Sequence, residues 1–95
     1  VNVLWSPRAA READRAVRYI ARDRPRVAAD WLTGLRDAVS RLAEFPNSGH
    51  SLPELPGSSR REIPYGGYRV IYRVRAEHVE ILRVVHARRN WHLER

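Results

Sequence analysis

The chain has 95 residues, 43% of them hydrophobic, and a formal net charge of +7. That is enough chain for one folded domain spanning 1–95, too apolar for disorder and too short for a second core. It contains no Cys, which excludes disulfides and thiolate metal sites, and its apolar runs fall well short of the ~20 residues of a membrane span. The expectation is a cytoplasmic protein with no membrane association. All 18 basic residues are Arg. Guanidinium does not give up its proton, so any acid–base chemistry falls to His, Tyr or a carboxylate. The positive balance favours nucleic acid or an acidic protein as partner.

Val1-Asn2-Val3-Leu4-Trp5 is short, β-branched and aromatic, and reads as a strand. Ser6-Pro7 is an N-cap followed by Pro at the first helical position. Ala9, Ala13, Ala16, Val17, Ile20 and Ala21 then form one helical stripe. Its small side chains allow a close neighbour. Asp23-Arg24-Pro25 interrupts the pattern, with Asp23 as a candidate cap. A second helix carries Val27, Ala28, Trp31, Leu32, Leu35, Ala38, Val39 and Leu42 and ends at Phe45-Pro46. So short a connection predicts an antiparallel helical hairpin.

Residues 46–59 hold three of the six Pro and two of the five Gly and read as a loop. Strands are expected over 60–64, 68–75 and 78–87, with turns at Gly66-Gly67 and Ala76-Glu77, followed by a polar end over 88–95. The order β-αα-βββ predicts an α+β fold, with the hairpin laid on one face of a mainly antiparallel sheet. Period-2 alternation in 68–75 puts Tyr68, Val70, Tyr72 and Val74 toward the helices. Arg69, Ile71, Arg73 and Arg75 then face outward, on a sheet face expected to be open. Guanidinium groups set in strands suit phosphate or carboxylate groups. Arg61, Arg69, Arg73, Arg83, Arg88 and Arg89 are the candidate anion- or partner-binding residues. The four His share no metal-ligand spacing, so no metal and no cofactor is expected.

Four ordered segments resemble the RelE/ParE superfamily of toxins from bacterial type II toxin–antitoxin modules. They are Trp5-Ser6-Pro7-Arg8-Ala9, then Leu42 through His50 with its "L-x-x-x-P-x-x-G" pattern, then Arg61-Glu62-Ile63 with Tyr68 through Val74, and Leu82 through Trp91 with "H-x-x-R". The resemblance implies a growth-arresting toxin neutralised by a cognate antitoxin. ParE-like members inhibit DNA gyrase, whereas RelE-like members are metal-independent, ribosome-dependent endonucleases that cut mRNA. On the nuclease reading Arg69, Arg89 and His92 form the catalytic set, Arg69 holding a phosphate. His86, Glu54 and Glu62 are further candidates for a base, and Trp91 for stacking on a nucleotide. RelE-like nucleases carry Lys residues and a late Tyr, whereas this chain has no Lys and its last Tyr is Tyr72. The ParE-like reading, with gyrase as target, is therefore preferred over ribosome and mRNA.

Overall fold

The computed structural model describes residues 2–88. Strand β1 (Asn2–Trp5) leads into helices α1 (Pro7–Ala21) and α2 (Pro25–Ser40), and a 3-10 turn follows at Arg41–Ala43. Strands β2 (His50–Ser51), β3 (Arg60–Tyr65), β4 (Tyr68–Val74) and β5 (His78–His86) follow. They form one five-stranded sheet in the order β1-β5-β4-β3-β2. Only the β1–β5 pairing is parallel, and the long connection that such a pair needs is supplied by the two helices and the strands between them. The result is the α+β architecture expected from the sequence. The two-residue strand β2 was not foreseen, because it lies in a polar loop and is defined only by its register with Arg61 and Glu62.

The helix starts follow from local chemistry. Ser6 has extended backbone angles, and its hydroxyl accepts from the Ala9 amide at 3.0 Å. The same hydroxyl donates to the Leu82 carbonyl at 3.1 Å, fixing where α1 leaves the sheet. Asp23 does not cap α2, contrary to expectation: Arg24 occupies that position without a side-chain bond, and Pro25 sets the first turn.

Ala9, Ala13 and Ala16 of α1, with Trp31, Leu35 and Val39 of α2, pack on Val70, Tyr72, Val79, Ile81 and Val84. Burying each large apolar side chain here contributes about 1.5–3 kcal/mol. Tyr72, fully buried, donates its hydroxyl to the Pro46 carbonyl at 2.8 Å and accepts from the Gly49 amide at 2.9 Å. Burial raises its pKa. A Cβ on Gly49 would lie 2.6 Å from the Glu62 carbonyl oxygen and 2.6 Å from the Tyr72 hydroxyl, so this approach requires glycine. At the β3–β4 turn, Gly66 and Gly67 take φ of 50° and 85°. That turn is fastened to α2 in both directions: Trp31 Nε1 donates to the Gly66 carbonyl (3.2 Å) and Tyr65 Oη donates to the Trp31 carbonyl (2.7 Å).

The sheet face away from the helices is not open along its whole length, as the alternation alone had suggested. Leu52, Ile71 and Val85 are buried together with Leu55 packed against them. The loop after β2 therefore folds over half of that face. The remaining half, toward the far end of β4, is uncovered by this cluster.

Candidate functional site

Arg69 projects from β4 onto the loop-covered half of the outer face. Its Nε and Nη2 bond the Glu62 carboxylate, and its Nη1 and Nη2 bond Glu54 at 2.7 and 2.8 Å. Register explains the first contact: Pro64 stands opposite Arg69, and Glu62, two residues earlier on β3, lies on the same face. Glu62 is nearly buried, Glu54 about one-third exposed. Hydrogen bonding to the two carboxylates pushes the Arg69 pKa above its ordinary value, and the same bonds hold Glu54 below the usual carboxylate range. The guanidinium is thus a clamp that ties the loop to the sheet. In this conformation its two forks are filled by carboxylates from its own chain.

Other predicted arginines are also engaged, and in separate places. Arg61 donates to the Gly49 carbonyl at 2.7 Å and bears on the 47–49 segment. Arg83 pairs with Glu12 of α1 through Nε and Nη2, while Glu12 also accepts from the Val84 amide at 2.9 Å. A register shift near Ile71/Tyr72 lets Leu82 bulge from the ladder. Beyond Ile81, β1 no longer pairs with β5, and Glu12 takes the bonding position that strand leaves empty. Arg73 bonds Glu80 at 2.9 Å. Arg88 is exposed, and among the described residues its side chain has no ion-pair partner. Arg89, His92 and Trp91 lie outside the described residues.

Two surfaces remain as candidate sites. One is a groove of about 500 Å³ between α1 and the uncovered edge of β5, lined by Glu12, Arg15, Tyr19, Tyr68, His86 and Arg88. The His86 ring meets Tyr68 edge-on at 5.1 Å, and its Nδ1 accepts from the Arg88 amide. His86 is therefore held by one nitrogen and faces the groove as a polar wall. The second surface is the uncovered half of the outer sheet face. Here Arg60 stands directly opposite Arg73, and Arg73 directly opposite Glu80. Arg75 Nε approaches the same Glu80 oxygen at 3.7 Å. Arg73 and Arg75 hold Glu80 below the usual carboxylate range, with the Arg73 bond as the main cause. Leu4, opposite Glu80 on β1, is half exposed.

Sequence reasoning missed Arg60, Glu12, Arg15 and Tyr19. A usable signal existed for each. Arg60 shares the period-2 face of Glu62, and Glu12, Arg15 and Tyr19 recur at three- and four-residue spacing along α1. Glu54 and Glu62, considered as bases, are here the partners of Arg69. Among the described residues no group of acidic, His or Cys side chains is placed to hold a metal ion, and no helix is long and apolar enough to cross a membrane.

Comparison with known proteins matches residues 3–91 to the family described as "ParE toxin of type II toxin-antitoxin system, parDE". A protein of Sinorhizobium fredii (strain NBRC 101917 / NGR234) named "Putative toxin Y4kP" is 38% identical over 94 residues, 95% of this chain and 92% of that protein. Among solved structures, the chromosomal ParDE toxin–antitoxin system from P. aeruginosa superposes with a TM-score of 0.77 at 19% identity, over 90% of this chain and 95% of that one. The toxin–antitoxin complex RelBE2 from Mycobacterium tuberculosis gives 0.64 at 23% identity, with the same coverage of 90% and 95%. These two structural likenesses bear on the fold.

Proposed function

Because the chain belongs to the ParE toxin family of type II toxin–antitoxin systems, we propose that it arrests bacterial growth by inhibiting DNA gyrase and is neutralised in the cytoplasm by a cognate antitoxin. The observation that carries the choice of target is the state of Arg69. A nuclease needs this guanidinium to hold a phosphate and to stabilise charge in the transition state. Here two carboxylates of the same chain occupy it. A phosphate entering that site would have to displace Glu54 and then sit beside the carboxylate of Glu62. Two other features support the same reading. There is no Lys anywhere in the chain. Tyr65 and Tyr72, which could serve as acids, donate their hydroxyls to the backbone of α2 and of the loop after it.

The antitoxin part of the proposal rests on the family and on the +7 charge. Both neighbouring structures are of toxin–antitoxin systems. A supercoiling assay with purified gyrase and relaxed plasmid tests the target. Addition of the protein should block supercoiling, and addition of the antitoxin should restore it. Unimpeded supercoiling by a preparation that still arrests cells would sink the proposal.

The second reading is a ribosome-dependent mRNA interferase using Arg69, Arg89 and His92. The α1/β5 groove is the observation in its favour, since it sets His86 beside Tyr68 and Arg88.

A further inference from the structure

The uncovered half of the outer sheet face carries an electrostatic imbalance that the fold does not resolve. Arg60 and Arg73 are paired directly across β3 and β4. Like charges facing each other in a ladder destabilise it unless something answers them. Glu80 is the only carboxylate in contact with the row among the described residues, and Arg73 and Arg75 already share it. The side chain of Arg60 has no ion-pair partner among the described residues. The Nε of Arg73 is buried and makes no hydrogen bond. A buried N–H without an acceptor is rare in folded proteins; this one is shielded from solvent, so a ligand would meet the rest of the Arg73 side chain, 28% of which is exposed. Arg73 and Arg75 share the Glu80 carboxylate, and Arg60, opposite Arg73, adds a third positive charge with no carboxylate of its own among the described residues.

We propose that this end of the sheet is a docking site for an acidic protein segment, with a carboxylate received between Arg60 and Arg73 and an apolar side chain three or four residues further along received on Leu4, about 12 Å away across the strands. The site differs from the Arg69 clamp: four residues of extended β4 separate Arg69 from Arg73, about 13 Å. The choice of protein over nucleic acid follows from what surrounds the arginines. Leu4 offers a half-exposed alkyl surface opposite Glu80 on the same face. Single-stranded RNA is held largely by bases stacked on aromatic rings, and Tyr65, Tyr68 and Tyr72 all pack toward the helices, on the other face. The proposal is independent of whether the toxin acts on gyrase or on the ribosome.

The test uses the full chain, labelled with nitrogen-15, and two probes of equal charge: the capped peptide Glu-Leu-Glu-Asp-Leu-Glu and a short oligouridylate. On adding the peptide, the Nε–H resonances of Arg73 and Arg60 should shift and saturate, while that of Arg18, which is paired with Asp14 on α1, stays fixed. Arg60→Gln should weaken peptide binding at least tenfold. Leu4→Ser should weaken it several-fold; both positions are solvent-accessible, so these variants are expected to fold. A peptide that shifts neither Arg60 nor Arg73 overturns the proposal. So does an oligouridylate that binds this row more tightly than the peptide, which would assign the surface to nucleic acid instead.

Discussion

Replacing Arg69 with Met removes the cation from between two carboxylates and leaves Glu62, with only 8% of its side chain exposed, beside an apolar neighbour. Breaking a fully buried ion pair in this way costs about 3–5 kcal/mol, most of it the penalty of stranding the other charge. Arg69 and Glu62 retain some solvent access, so the low end applies, about 3 kcal/mol. Glu54 adds little, because a partly exposed pair is worth only about 0–1 kcal/mol. For a domain of this size each kcal/mol moves Tm by roughly 4–8 °C, giving a fall of about 12–24 °C. Urea unfolding followed by Trp fluorescence measures the loss directly. The double variant Arg69→Met/Glu62→Met should recover to within about 1 kcal/mol of the parent, since a matched apolar pair can replace a buried ion pair at little cost. A single Arg69→Met variant with an unchanged midpoint would refute the clamp and return this guanidinium to the catalytic candidates. The same reasoning changes how toxicity data are read. Loss of activity in Arg69→Ala does not by itself indicate phosphate binding, because the fold is expected to suffer first.

Acid should loosen the loop before the core. The folded-state pKa of Glu54 is depressed by Arg69, so its contribution is present above the unfolded carboxylate value of about 4.3 and is lost as pH falls through the lower folded value. Glu54→Gln should flatten that part of a stability-versus-pH curve. Tyr72→Phe leaves the Gly49 N–H and the Pro46 carbonyl without their partner, and should cost about 1–3 kcal/mol by denaturant titration. Gly49→Ala, with backbone 2.6 Å from the new methyl, is expected to be at least as damaging, and a wild-type midpoint would contradict the packing described. Ser6→Ala removes both the α1 cap and the bond to Leu82, a loss of about 1–2 kcal/mol by thermal melting.

Much of the architecture was legible because local chemistry and long-range order agree. Ser6-Pro7 states a helix start, the Ala stripe states a close-packed face, and Tyr68-Val70-Tyr72 states which side of β4 meets the helices. Failures came where the deciding contact is remote in sequence. Leu52 and Leu55 are two apolar residues in a Pro-rich loop, too few to show a period, yet they cover half the outer face. The alternation placed Arg69 on the correct face, but Glu54 lies 15 residues away and only the folded loop brings it in. Arg83 stands in the sequence as a candidate for anion or partner binding, with no sign of a contact inside the chain. The bulge at Leu82 and the early end of β1 bring it to Glu12, 71 residues distant. Arg60 was passed over because its meaning depends on register with Arg73, which no single strand reveals.

The most direct test of the account is toe-printing of a defined mRNA on translating ribosomes, using protein from a preparation that arrests growing cells. The account predicts intact mRNA at high protein concentration, because Glu54 and Glu62 occupy the guanidinium that cleavage would require. Cleavage in the decoding site, retained in a folded Glu54→Gln variant and abolished in a folded Arg69→Lys variant, would contradict it and establish an interferase.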